Sequence, residues 1–298
     1  MRGCLRPSDP TPARHPGLAI GTIAGSLCLV AAACSPRLLI AVDPPPTTDP
    51  CASGSTDAAG CIPTGLLDGL VGYWKFDDGM GSATARDSSG QGNNGSLISV
   101  NADMQWLPGK SGTALELGGI GWVNVAPSTS IDGIVDQVTV ASWIYLEGTV
   151  MRYATAASRQ IGSGLQQHYH VSLNTDVKPS LFITTGVDDI ALLIAKDAVV
   201  PRTWVHLAGT YDGTTAVLYV NGVEAASQAL TGTFAPDTTP VIIGGNGNDA
   251  TGVPTELFPG RLDEVMLYHR ALTAPEIGRL FAGALFTAAP PGVDAGGD

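Results

Sequence analysis

The chain has 298 residues, 15 basic and 27 acidic side chains and a formal net charge of −12, a balance that offers no basic surface to a nucleic-acid backbone and sets that partner aside. Charged residues are only 14% of the total, while glycine reaches 38 and proline 21, the profile of a turn-rich β protein rather than a helical one. The length accommodates one large β domain with extensions.

Residues 1–33 have the order of an export signal: Arg2, Arg6 and Arg14 precede the apolar run "LAIGTIAGSLCLV", which ends at "AAACS". Ala31 and Ala33 form a small-x-small cleavage site. Cys34, just beyond, resembles a bacterial lipobox cysteine and is the candidate for lipidation, although Ala31 stands where Leu is usual. Contact with a membrane is therefore expected only through such a lipid anchor, because Arg37 interrupts the apolar stretch before it is long enough to span. Residues 34–65 are rich in Pro, Thr, Ser and Gly, cannot build a core and are predicted to be an extended tether. Within it Cys51 and Cys61 flank "ASGSTDAAG" with no histidine nearby, which favours a disulfide over a metal site in an exported chain.

The globular unit is predicted over 66–286, with 287–298 a frayed tail. Its strands, in order, are "VGYWKF", "TALEL", "GWVNV", "VTVASWIYL", "HYHVSLN", "SLFITT", "IALLIA", "TWVHLAGTY", "TAVLYV", "VEAAS", "PVIIGG" and "RLDEVMLYHRAL". Asp212-Gly213 and Asn221-Gly222 are turn pairs that fold Thr203 to Ser227 into a three-stranded meander. One helix is signposted: Thr273 as N-cap, Glu276 three residues on, Pro275 in the first turn, and Ile277, Leu280 and Phe281 as an apolar stripe. Short strands, no β-α-β alternation and one late helix predict an all-β fold, a two-sheet antiparallel sandwich with one short C-terminal helix.

Read in order, "LVGYWKFDDGMGSATARDSSGQGNNGSL", "GKSGTALELGG", "VTVASWIY", "RTWVHLAGTYDGTTAVLYVNGVEA", "VIIGG" and "GRLDEVMLYHRALTAPEIGRL" resemble the laminin-G-like, concanavalin A-like jelly-roll family. The resemblance runs from Leu66 to Leu280. It implies an exported β-sandwich, often with a calcium ion at the rim, serving adhesion or glycan binding.

Gly90, Gly92 and Gly95 match G-x-G-x-x-G, but the strand-then-helix setting of a dinucleotide site is missing, so the match carries no weight. No strand carries paired catalytic glutamates. The closest acids, Asp263 and Glu264, are adjacent, so regular alternation sends them to opposite faces. His168 and His170 share a strand face as half a zinc site, with no third ligand suggested by spacing. Trp106 and Trp122, nearest to loops, are the candidates for a sugar-stacking platform. Asp77, Asp87 and Asn93, completed by Asp263, are the candidate ligands of a structural Ca2+, because a strand carrying adjacent acids buries one of them and a buried carboxylate wants a cation. The expectation is an exported envelope module that binds glycan or another cell-surface ligand, a reading that leans away from an enzyme. A divergent glycoside hydrolase or polysaccharide lyase, and a purely adhesive domain, are the alternatives.

Overall fold

Alternation of large apolar with small or polar side chains lays out the strands of the computed structural model, which describes residues 64–98, 106–160, 167–186, 189–246 and 253–285. After a 3-10 turn at Thr64–Leu66 come β1 (Leu70–Trp74), β2 (Thr84–Ala85), β3 (Gly95–Ile98), β4 (Trp106–Pro108), β5 (Thr113–Glu116) and β6 (Trp122–Val125). A single helical turn, α1 (Thr129–Asp132), precedes β7 (Val138–Leu146), β8 (Ala154–Gln160), β9 (Gln167–Leu173), β10 (Pro179–Thr184) and β11 (Ile190–Ile194). Then follow β12 (Trp204–Tyr211), β13 (Thr215–Val220), β14 (Val223–Ala229), β15 (Val241–Ile243), β16 (Gly260–Tyr268) and helix α2 (Ala274–Phe281).

These strands form two antiparallel sheets packed face to face, the expected jelly-roll sandwich. Sheet A has the order β14-β13-β12-β7-β16-β5-β4, with β1 also on β16; sheet B has the order β11-β10-β9-β8-β15-β6-β3-β2. The meander of β12, β13 and β14 is as the two turn pairs predicted. Between the sheets, Val140, Ile144, Leu207 and Leu262 of sheet A meet Val123, Val171, Leu181 and Ile243 of sheet B in one buried cluster. Gly209 sets the approach of the sheets here, since a Cβ at that position would stand 2.5 Å from Leu181 Cδ1.

A second apolar cluster lies on the outer face of sheet A, where Leu70, Tyr73, Met266 and Tyr268 are covered by Ile277 and Leu280 of α2. Glu276 anchors that helix: one carboxylate oxygen accepts from the Thr273 N–H at 2.7 Å, and Arg270 reaches both oxygens at 2.7 and 3.1 Å. Helix α2 thus closes the outer face of sheet A. The outer face of sheet B carries no such helix among the described residues. Cys34, Cys51, Cys61, the signal and the tail lie outside the described residues.

Candidate functional site

Every strand of sheet B buries its core face, so the intervening side chains define a second surface. In β9, Tyr169, Val171 and Leu173 point inward; in β10, Leu181 and Ile183 do; in β6, Val123 and Val125. Cross-strand register then aligns one outward row across the sheet: Leu192, Phe182, His170, Ser158, Ile242, Asn124, Ser96 and Thr84 are successive partners. A shift in register between Thr155 and Ala157 keeps Ser158 in that row. No member of the row carries a full charge at neutral pH, because burial lowers the His170 pKa to about 3 and keeps the ring neutral.

Toward one end of the row the surface hollows into a groove of about 260 Å³ lined by Trp122, Asn124, Gln160, Thr239 and Ile242, with Ile98, Pro240 and Pro254 at its margins. Trp122 and Asn124 reach it because they alternate with Val123 and Val125. The indole supplies an apolar wall and the half-exposed Asn124 amide supplies both a donor and an acceptor, whereas Gln160 is buried and already engaged. Asn124 was legible from the same alternation that placed Trp122. Gln160 was not, because β8, "ATAASRQ", has no large apolar residue to announce a strand.

Toward the other side the row passes into a packed aromatic cluster. The His170 ring stacks on Phe182 at 5.3 Å and meets Tyr153 edge-on at 5.6 Å. Its Nε2 lies 2.8 Å from Thr155 Oγ1. Glu256 Oε2 comes within 3.8 Å of the same nitrogen, but the ring is neutral, so this is not an ion pair. Burial raises the Glu256 carboxyl pKa, and Asn246 Nδ2 donates to it at 2.9 Å. His170 is thus committed to packing. Among the described residues no group of three or more His, Cys, Asp or Glu side chains is placed to hold a metal ion, so the zinc half-site gains no partner.

The four residues expected to hold calcium do not form one ligand set. Asp87 Oδ1 accepts from the Tyr73 and Ser89 N–H groups, and Oδ2 from the Ser89 hydroxyl and the Asn93 N–H. Asn93 Oδ1 accepts from Ser128 Oγ, and its amide donates to Val71 O and Ser130 Oγ. Those oxygens are occupied in pinning the loop, and a cation would have to displace their donors. Asp77 instead accepts from the Thr113 N–H at 2.8 Å, and Asp263 from the N–H groups of Lys110 and Ser111 at 2.7 and 3.0 Å. The arrangement does not fit calcium. The carboxylate that was to need a cation takes two backbone donors on Oδ2 and none on Oδ1, and burial raises its pKa. Trp106 is likewise not a platform: it packs in the inter-sheet core.

A β-bulge corrects the reading of the acidic pair. The register of β16 on β7 shifts between Asp263 and Met266, and Glu264 adopts a left-handed φ of 51°. Leu262 and Val265 enter the core while both acids turn to the outer face of sheet A, where Glu264 meets the Tyr73 hydroxyl. Burial pushes the Asp263 carboxyl pKa up to about 8 and that of Glu264 to about 7. Asp263 is in register with Trp143, and Trp143 with His206. Asp263 Oδ1, Trp143 Nε1 and His206 Nδ1 are each buried without a hydrogen-bond partner. Phe281 of α2 stacks on Trp143 at 5.5 Å and the Lys110 ammonium sits 4.2 Å above it. With exposures of 0% and 2%, the two acids cannot reach a polysaccharide.

The family model described as "Concanavalin A-like lectin/glucanases superfamily" matches residues 117–278, more than half of the chain. The chain belongs to this superfamily. The match spans the outward row from Asn124 through Ile242 and ends within α2. Mouse pappalysin-1 is 32% identical over 107 residues, 33% of this chain but only 6% of pappalysin-1. Among solved structures, domain 4 of AbnA, a GH43 extracellular arabinanase from Geobacillus stearothermophilus, determined in complex with arabinotriose, superposes with a TM-score of 0.54 at 22% identity, covering 71% of this chain and 97% of that one. The binding domain of Paraclostridial Mosquitocidal Protein 1 gives 0.57 at 20%, covering 73% and 53%. A Trypanosoma rangeli sialidase mutant displaying trans-sialidase activity gives 0.55 at 15%, covering 77% and 35%. At these identities the structural likeness is one of fold, shared across the superfamily.

Proposed function

We propose that this chain is a carbohydrate-binding module of the cell envelope that takes its ligand on the outer face of sheet B. The observation that carries the reading is the groove in which the Trp122 indole and the Asn124 amide line one hollow. A sugar ring has an apolar C–H face and a rim of hydroxyls that both donate and accept. An indole packs the first and primary amides bond the second. The complex of the similar arabinanase domain with arabinotriose supports a carbohydrate as the ligand. Binding is favoured over turnover because the acids best placed to act as a pair are buried on the outer face of sheet A, away from the groove. The export signal and Cys34 would deliver the module to the envelope, on a lipid anchor followed by the tether.

The test is retention of the full chain on an array of immobilised glycans, with release of reducing ends followed in the same wells. Binding without turnover is expected, and Trp122→Ala should weaken it about tenfold or more. Turnover that survives purification of the protein, or binding indifferent to Trp122→Ala, overturns this assignment.

A further inference from the structure

The electrostatics of the groove narrow the ligand class. We infer that the glycan is uncharged, an inference that rests on the reading of this groove as a carbohydrate site. None of the described residues lining the groove is ionisable. From Asn124 the outward row continues to Ser96 on β3 and Thr84 on β2, both exposed hydroxyls. Among the described residues, a sugar chain leaving the groove along this row as far as Thr84 meets neutral groups that donate and accept.

The described cations nearby in sequence or sheet position lie outside the groove. Arg159 precedes Gln160 on β8 but turns away from the row and is 1% exposed. Its guanidinium is held by Ile131 O at 2.8 Å, Asp237 O at 2.8 Å and the Asp132 carboxylate at 2.5 Å. Arg86, two residues beyond Thr84, is exposed and lies past the end of the row, 3.7 Å from Asp78. Arg152 lies near Glu256, beyond the His170 cluster, and lowers the pKa of that carboxyl.

A uronate or sialate carboxylate entering the groove would lose water and gain no cation, which is a costly exchange. It would also approach a molecule of net charge −12, whose field opposes any polyanion before contact. A neutral sugar loses only hydroxyl hydration and recovers part of it from the Asn124 amide. Discrimination against acidic glycans is thus built from what the site omits as much as from what it contains.

Affinity electrophoresis of the full chain through gels containing neutral polymers (arabinan, xylan, β-glucan) or acidic ones (polygalacturonate, alginate, polysialic acid) tests this. Retardation by at least one neutral polymer and none by the acidic ones is expected. Its Kd should change less than about twofold between about 50 and about 500 mM salt, as befits binding without ion pairs. Asn124→Ala, at a half-exposed position outside the core, should weaken retardation about tenfold with the melting temperature unchanged, so lost binding is not mistaken for lost folding. Binding confined to acidic polymers and abolished by salt would overturn the uncharged class and leave the carbohydrate reading standing. Retardation by no polymer would overturn both.

Discussion

Asp263 shows how one residue's surroundings decide between a cation and a proton. Its Oδ2 receives two backbone N–H groups and its Oδ1 receives nothing. A full negative charge would be poorly repaid there, so burial holds the carboxyl protonated up to a pKa of about 8, against 3.8 for an unperturbed group. Because the folded value is the higher one, the folded state binds more protons than the unfolded chain across this interval. The resulting stability is fully present below about 4 and is lost progressively as pH rises through about 8. Glu264 pulls in the same direction over the narrower interval from 4.5 to about 7. An amide at 263 can keep the two N–H contacts and never ionises. Melting followed from about pH 5 to about pH 8 should therefore show Asp263→Asn gaining on the parent chain as pH rises. A difference between the two proteins that stays constant with pH would mean that Asp263 is ionised in the folded state.

At the scale of elements, what the sequence disclosed was whatever announces itself locally. The two-residue turns placed β12, β13 and β14, and the Thr273-to-Glu276 spacing placed α2. Strand β8 stayed hidden because its seven residues are small or polar, yet all are buried in the sheet. The bulge at Glu264 stayed hidden because alternation is assumed until register is known. That single inserted residue puts both acids on one face and undoes any argument from their adjacency. The groove was half legible: Trp122 and Asn124 lie on a recognisable strand, whereas Gln160, Thr239 and Ile242 join them only through sheet pairing distant in sequence. Helix α2 offers a direct test of a local element. Hydrogen bonding to Arg270 and Thr273 outweighs desolvation and holds the Glu276 carboxyl down to about 2. The Thr273 N–H and hydroxyl and the Arg270 guanidinium all converge on it. Glu276→Ala should cost about 1–2 kcal/mol in urea unfolding, the range for a lost helix cap with charge-assisted bonds. A midpoint that does not move would show that α2 is held by Ile277 and Leu280 alone.

For the whole molecule, the two outer faces of the sandwich have different uses: α2 seals one with apolar side chains, while the other keeps an open, uncharged groove. Among the described residues both apolar clusters lie between Leu66 and Leu285. The proposed Cys51–Cys61 crosslink therefore precedes every residue of the core. Closing so short a loop limits the unfolded chain modestly, and the polar sequence around it is too poor in large apolar residues to build a core. In a domain of this size about 1 kcal/mol corresponds to roughly 2–4 °C of melting temperature. Reduction with dithiothreitol should accordingly shift melting by less than about 2 °C, with thiol titration confirming that the bond was present and has opened. A fall of many degrees would mean that the cysteine loop packs against the sandwich and contributes to its stability, and the tether would then begin before Cys51 rather than include it.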